Sequence, residues 1–237
     1  MRTYLIYIGL FALLFPLWAQ ELPSILEEHY KAAAQEKMLK VKSITTTGEI
    51  VYSMANFKSA FKIYQSRPNL LRVEGDYQGA RVVQTFNGES AWNYAPSMGV
   101  PVPVELEGEE LKVLLNQLQF ESPLWNYEDQ GAEIELVKSG DEALVQLLYT
   151  TADGDVRRFF IDRESHLISA IKSSQLMGGT ETEIEVLLED YKTVKGIPFS
   201  HRAITKMNGQ VVTTLNIEKV EINRKIDPEL FEKPAME

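Results

Sequence analysis

The sequence predicts a mainly β protein of the α+β type, with about eleven strands, at most twelve, in one antiparallel sheet and two helices. Three observations lead to this prediction. Short segments alternate apolar and polar residues, turn-forming pairs such as Asn-Gly and Asp-Gly separate them at even spacing, and only two segments show helical periodicity. This succession favours a single strongly bent sheet or open barrel over two separate domains.

Residues 1–19 are predicted to be a cleavable secretory signal peptide. Arg2 supplies the positive charge, the apolar segment LIYIGLFALLF follows, and Ala19 is a small residue before the expected cleavage point at Gln20. The apolar run is short for a membrane span, and an uncleaved anchor is the alternative. Residues 20–237 are expected to form one domain, without disulfides or cysteine-linked lipid because the sequence has no cysteine.

The expected mature chain opens with a helix. Ser24 and Glu27 form a capping-box pattern, and apolar residues then recur at helical spacing to about Leu39. A threonine-rich segment and the alternating segment FKSAFKIYQ follow as the first two strands. Such a short helix needs a surface to lie on, so we expect it to pack against the sheet.

The stretch from Arg67 to Pro96 is predicted to form three consecutive strands. Asn87-Gly88 is a strong hairpin signal, since both residues tolerate positive φ. Trp92 and Tyr94 are two positions apart and therefore project from the same face of their strand. Pro96 ends the strand, because proline has no N–H to donate to a ladder. This meander should present one apolar, aromatic face.

A second helix is predicted to interrupt the strands. The segment GVPVPVELEG cannot be a central strand, because its prolines remove ladder donors. Leu111, Leu114, Leu115 and Leu118 then form a helical stripe. From Ala132 onward seven further segments alternate like strands, and turn residues separate them.

The sequence gives no positive sign of catalysis. The net charge of −10 disfavours nucleic acid as a partner. His29, His166 and His201 show no metal-binding spacing, and neither a GxSxG elbow nor a Gly-rich phosphate loop occurs. We therefore expect no enzyme activity, no metal and no cofactor.

Apolar residues exceed what a simple two-layer fold needs. Several could line the concave side of one curved sheet: Phe57, Phe61, Ile63, Leu71, Val73, Trp92, Phe159, Ile168, Ile184, Val186 and Phe199. One interpretation is a filled core plugged by the two helices, which composition alone favours. The other is a ligand cavity with the helices as a lid.

Four short motifs bear on this choice. The segments RPNL (Arg67–Leu70), NGxxxWxYxP (Asn87–Pro96), KGIPF and IDPELFEKP resemble the LolA family of periplasmic outer-membrane lipoprotein carriers. The order of signal peptide, helix and meanders matches as well, so the resemblance spans essentially the whole mature chain. It implies an incomplete, curved antiparallel barrel under a helical lid, with a hydrophobic cavity for acyl chains. The helix around Leu111–Leu118 is the expected lid.

The resemblance also implies roles for two residues. The family's arginine of the RPN motif latches the lid by hydrogen bonds to its backbone, and here this residue is Arg67, whose guanidinium suits carbonyl acceptors. The alternative is an ordinary arginine at a strand edge. The family places a large apolar residue in the cavity after RPNL, and here it is the smaller Leu71. That departure leaves the exact cargo open.

The expected function is a monomeric periplasmic carrier that shuttles the acyl chains of lipoproteins, or a lipid, toward the outer membrane. An inner-membrane ABC-type release complex and an outer-membrane acceptor are the partners that the resemblance implies. Two alternatives stay open. One is an RseB-type sensor of lipid or lipoprotein, and the other is a structural envelope protein whose barrel is filled.

Overall fold

The structure, a computed structural model, describes residues 18–77, 79–177 and 179–236. The predicted signal peptide lies outside the described residues except for its last two positions.

One antiparallel sheet of thirteen strands dominates the fold. The strands are β1 (Ser43–Tyr52), β2 (Phe57–Ser66), β3 (Leu70–Tyr77), β4 (Ala80–Phe86), β5 (Ala91–Ala95), β6 (Val100–Glu105), β7 (Glu133–Val137), β8 (Leu144–Thr150), β9 (Val156–Asp162), β10 (Ile168–Met177), β11 (Thr180–Val194), β12 (Ile197–Met207) and β13 (Gln210–Ile222).

The spatial order of the strands is β6-β5-β4-β3-β2-β1-β13-β12-β11-β10-β9-β8-β7. The first six strands therefore run from the middle of the sheet to one edge, and the remaining seven run from the other edge back to the middle. The sheet is curved and not closed, because β6 and β7 are both edges. The predicted fold class is thus confirmed.

The long strands β11, β12 and β13 are joined by two tight turns. Lys195 and Gly196 have φ of 49° and 81°, and Asn208 and Gly209 have φ of 47° and 78°. Two successive positive φ values make a turn whose twist matches that of the flanking strands. These pairs therefore connect neighbouring strands without a longer loop.

Strand β6 is not among the strands predicted from the sequence. It contains Pro101 and Pro103, and β5 is its one partner strand in the described part of the chain. Prolines are tolerated at a sheet edge because a strand there has donors that need no ladder partner. The sequence excluded this segment from the centre of the sheet, and the structure places it at the edge.

Three helices differ in their bounds from the two predicted. Helix α1 (Trp18–Ala32) already includes Trp18, so Ser24 lies inside it and does not cap it. Helix α2 (Gln35–Met38) follows Ala34, which has a left-handed φ of 51°. Helix α3 (Gly108–Leu115) ends before Leu118, which lies in the following turn. No helix among the described residues is long and apolar enough to cross a membrane.

The helices cover one face of the sheet, called here the inner face. Three apolar clusters join them to it. Leu26 of α1 packs against β7–β10, Met38 of α2 packs against the central strands, and Leu114 of α3 packs against β3–β5. Each helix therefore shields a different part of the inner face.

The outer face is partly covered by the C-terminal segment. A short 3-10 helix (Pro228–Phe231) lies against β3, and Phe231 is fully buried. The buried Arg72 donates to the carbonyl of Leu230 at 2.9 Å and to the carboxylate of Glu74 at 2.6 Å. The β3–β5 region is thus packed on both faces.

Candidate binding cavity

A cavity of about 310 Å³ lies at the middle of the inner face. Its floor is the central part of the sheet, and its roof is the end of α1, helix α2 and the segment that follows α3. The apolar wall consists of Ala33, Met38, Ile44, Phe120, Pro123, Leu167, Ile168, Ile171, Leu188, Pro198 and Phe199.

Some predicted cavity residues belong to packed core instead of open space. Leu71 is fully buried, and Leu114 is 1% exposed. They pack with Ile63, Val73, Leu111, Leu115 and Leu118 under α3. Phe159 is equally buried beneath α1. The region under α3 is therefore filled, as the first of the two interpretations expected.

Two predicted residues line the cavity. Ile168 of β10 and Phe199 of β12 form part of its wall. Leu188 of β11 lies in the same wall, on the strand between them. The lining also includes Ile44 and Thr46 of β1, so the cavity spans the middle of the sheet from β1 to β10.

Four further predicted residues lie on the part of the inner face that the helices do not cover. Phe57, Phe61, Ile184 and Val186 are only partly buried. The strand register puts Phe61 opposite Gly48 and Val186 opposite Thr205, on the face that carries the cavity. On β11, Val186 is two positions from the cavity residue Leu188. A partly exposed apolar surface thus continues from the cavity toward the ends of the long hairpins.

Trp92 does not share this face. Leu71 pairs with Phe86 and Phe86 with Ala91, so Ala91 occupies the inner face of β5. Trp92 is the next residue and pairs with Thr85, which is opposite Arg72 on the outer face. Because side chains alternate along a strand, the expected placement of Trp92 is corrected.

Arg67 lies between α2 and the segment that follows α3. We call residues 116–125 the strap. The Arg67 Nε donates to the carbonyl of Val41 at 2.7 Å, and its Nη2 approaches the carbonyl of Met38 at 3.4 Å. The same nitrogen pairs with Glu121 of the strap, and the guanidinium lies 4.7 Å from the centre of the Phe120 ring. The contacts are thus with the end of α2 and with the strap, whereas the sequence suggested the backbone of the α3 region.

A buried histidine holds the strap from the other side. The Nδ1 of His29 donates to the carbonyl of His166 at 2.8 Å, and its Nε2 lies 2.7 Å from the hydroxyl of Ser122. A carbonyl can only accept, so Nδ1 carries the proton and Nε2 accepts from Ser122. Burial lowers the pKa of His29 below its ordinary value, which favours this neutral form.

Two tyrosines fix the neighbouring backbone. The Tyr30 hydroxyl donates to the carbonyl of Leu124 at 2.6 Å, and the Tyr30 ring packs edge-on against Trp125. The Tyr191 hydroxyl donates to the carbonyl of Ile168 at 2.7 Å in the cavity wall. Burial raises the pKa of both tyrosines to about 12, so both remain donors at neutral pH.

The cavity wall offers little for chemistry. Among the described residues that line it, Glu121 is the one carboxylate, and it pairs with Arg67. No group of three or more metal-ligating side chains occurs in the described part of the chain. The wall is suited to an apolar ligand with few polar groups.

The fold and the cavity define a class of protein: an open antiparallel sheet with helices on its inner face and an apolar cavity between them. The fold is LolA-like. A DUF1329 family protein from Desulfovibrio piger superposes with a TM-score of 0.62 at 10% identity, over 90% of this chain and 99% of that one. A LolA superfamily protein from Nitrosomonas europaea gives 0.57 at 13% identity, over 89% and 97%.

A third solved structure is described as an outer membrane lipoprotein-sorting protein domain from Vibrio parahaemolyticus. It superposes with a TM-score of 0.56 at 12% identity, over 87% of this chain and 94% of that one. No family model matches the sequence, and the search of curated proteins finds no match either. At these identities the likeness shows the fold alone.

Proposed function

We propose that the protein is a periplasmic carrier that binds the acyl chains of a lipoprotein, or of a lipid, and shuttles them toward the outer membrane. One observation carries the proposal: the partly open apolar cavity continues into a partly exposed apolar surface on the same face of the sheet. A filled structural barrel has no need of such a surface. One solved structure with this fold is described as an outer membrane lipoprotein-sorting protein domain, and that description supports the proposal.

The size of the cavity fits part of one chain. The volume of about 310 Å³ is larger than the roughly 150 Å³ of an engineered protein cavity that binds benzene, so a short acyl segment fits inside. Each buried methylene contributes about 0.8 kcal/mol, which makes shielding of a chain from water strongly favourable. The remainder of a longer chain would lie along Phe61 and Val186 on the open part of the inner face.

The setting follows from the same proposal. The predicted signal peptide exports the chain, the protein acts as a monomer and binds without catalysis, and the cargo passes from an inner-membrane ABC-type release complex to an outer-membrane acceptor. The strap with its Arg67 contacts then separates a closed from an open cavity, which is the role of a latch.

The proposal can be tested with a substitution that fills the cavity from the sheet side. Thr46 lines the cavity, and Thr46→Phe would fill part of it. Thr47→Phe is the matched control, because Thr47 pairs with Lys62 and Lys219 on the outer face. We expect the wild-type protein and Thr47→Phe to accelerate transfer of a synthetic acylated lipopeptide between vesicles, and Thr46→Phe to reduce the transfer rate several-fold.

Three results would contradict the proposal in different ways. If the wild-type protein binds no acylated peptide, the cavity is no acyl site. If it binds the peptide but never transfers it, a sensor role replaces the carrier role. If both substitutions reduce transfer equally, the ligand does not occupy this cavity.

A further inference from the structure

A buried amide without a complete set of partners lies in the cavity wall. Gln35 of α2 is only 2% exposed, and its Nε2 has no hydrogen-bond acceptor among the described residues. Its Oε1 accepts from the backbone N–H of Ser122 at 3.1 Å. Exchanging the two ends of the amide would set a donor against that N–H, so the orientation of the amide is fixed.

The position of this side chain is set by a break in the helical segment. Ala34 has a left-handed φ of 51°, so α2 does not continue the line of α1. A non-glycine residue in this conformation costs about 1 kcal/mol or more. Gln35 directly follows the break and is buried, whereas the next residue, Glu36, is exposed. Both the strained residue and the unpaired donor carry a cost, and a ligand that accepts from Gln35 offsets the second.

We propose that Gln35 binds the carbonyl oxygen of an acyl group, so that the cavity selects acyl esters and amides over ethers and hydrocarbons. The inference rests on the proposed function and specifies its ligand. Gln35 and the strap residues Gln119 and Ser122 form a polar corner, whereas Leu188 and Phe199 form an apolar wall. The carbonyl lies at the corner, and the chain runs along the wall.

The charges around the cavity favour a neutral acceptor. A fatty-acid carboxylate at this corner would face Glu121, which already lines the cavity. The guanidinium beside it is engaged by Glu121 and by the carbonyl of Val41. An ester or amide carbonyl accepts a hydrogen bond from Gln35 without adding a second negative charge. The ether analogue lacks the carbonyl oxygen that projects sideways from the chain, so it has no acceptor at the position of the buried donor.

The test compares three lipids that share a sixteen-carbon chain and two hydroxymethyl groups. They are 2-monopalmitoylglycerol, its 2-O-hexadecyl ether analogue, and the N-palmitoyl amide of serinol. Dissociation constants come from displacement of a fluorescent hydrophobic probe. A hydrogen bond to the buried donor should lower the free energy of binding by an amount that corresponds to about a tenfold change in the dissociation constant. We therefore expect the wild-type protein to bind the ester and the amide about tenfold more tightly than the ether.

Variants then assign the preference to one residue. Gln35→Leu should reduce the ratio of the affinities for the ester and the ether to about one. If the leucine variant does not fold, Gln35→Met tests the same prediction. Gln175→Leu removes an exposed amide on β10 and should leave the ratio unchanged. Tighter binding of the amide than of the ester would point to an N-acylated cargo, and the reverse to an ester lipid.

The outcomes separate the two proposals. Equal affinity of the wild-type protein for ester and ether overturns the carbonyl assignment and leaves the carrier proposal intact. A preference that survives in Gln35→Leu overturns the role of Gln35. A wild-type protein that binds none of the three lipids overturns both.

Discussion

Replacing Arg67 should open the strap without unfolding the sheet. Arg67→Leu keeps an aliphatic stem and removes every donor. It thereby breaks the hydrogen bond to the carbonyl of Val41 and the ion pair with Glu121, and it removes the cation from the Phe120 ring. Glu121 would keep its partly buried position with no counter-ion. The ladder hydrogen bonds of the sheet do not involve this guanidinium.

The size of the effect follows from these contacts. A hydrogen bond from a charged donor contributes about 1.5–3 kcal/mol, and the cation–π contact about 0.5–1 kcal/mol. The Arg67 side chain is 34% exposed, so screening by water reduces both contributions. We therefore expect a net loss of about 2 kcal/mol, which raises the ratio of open to closed strap about thirtyfold.

Hydrogen exchange measures this opening directly. The backbone N–H groups of Ser122 and Leu124 are both hydrogen-bonded in the strap and should exchange about thirtyfold faster in the variant. The control is Arg202→Leu, since Arg202 is exposed and lies 3.7 Å from Glu189. That surface pair should contribute less than about 1 kcal/mol. If strap exchange in Arg67→Leu matches either the wild type or this control, Arg67 is no latch.

Two further predictions concern stability. Burial lowers the pKa of His29, so at mildly acidic pH the unfolded chain binds a proton that the folded protein does not. The free energy of unfolding should therefore fall as the pH drops below about 6.5. Urea titrations at several pH values should show this dependence in the wild-type protein and not in His29→Asn. Gly48→Ala would place a Cβ against the backbone carbonyl of Asn216, where β1 and β13 change register, so it should lower the free energy of unfolding by about 2 kcal/mol or more. Gly75→Ala is the control, because its nearest neighbour is 3.9 Å away; equal losses in the two variants would mean that crowding at Gly48 is not the cause.

The sequence predicted the strands well because their signals are local. Phe57, Phe61 and Ile63 alternate with polar residues, and the structure puts all three on the inner face through the register of β1 and β2. The Lys195-Gly196 pair adopts the two positive φ values that such a turn needs. Periodicity and turn chemistry act within a few residues, so they are readable without knowing what the strand packs against.

Trp92 shows what the local alternation pattern cannot predict, namely which face of the sheet a residue occupies. Its spacing from Tyr94 correctly puts both residues on one side of β5, but it does not tell which side. The answer follows from the register through the preceding hairpins, which pairs Leu71 with Phe86 and Phe86 with Ala91. A large aromatic residue suggests a position that faces the cavity. In this protein the C-terminal segment also covers part of the outer face, so a large residue can be partly buried on either face.

The strap could not be predicted, because its contacts join distant parts of the chain. Ser122 meets His29 and Gln35, and Glu121 meets Arg67, across separations of fifty or more residues. The strap itself has neither helical nor alternating periodicity. Its one sequence signal is the run of apolar and aromatic residues around Trp125 in a segment that otherwise resembles a loop.

The two edges of the sheet bear on the range of cargo that the proposed carrier could accept. In a closed barrel, strand number and stagger fix the diameter, and widening it breaks ladder hydrogen bonds. Here β6 and β7 each have one neighbour, so they can move apart or together while every strand keeps its partner. The prolines of β6 remove donors at one of these edges, which discourages the pairing of two molecules there. If the protein is the proposed carrier, a change in the curvature of the sheet would let it accept chains of unequal bulk.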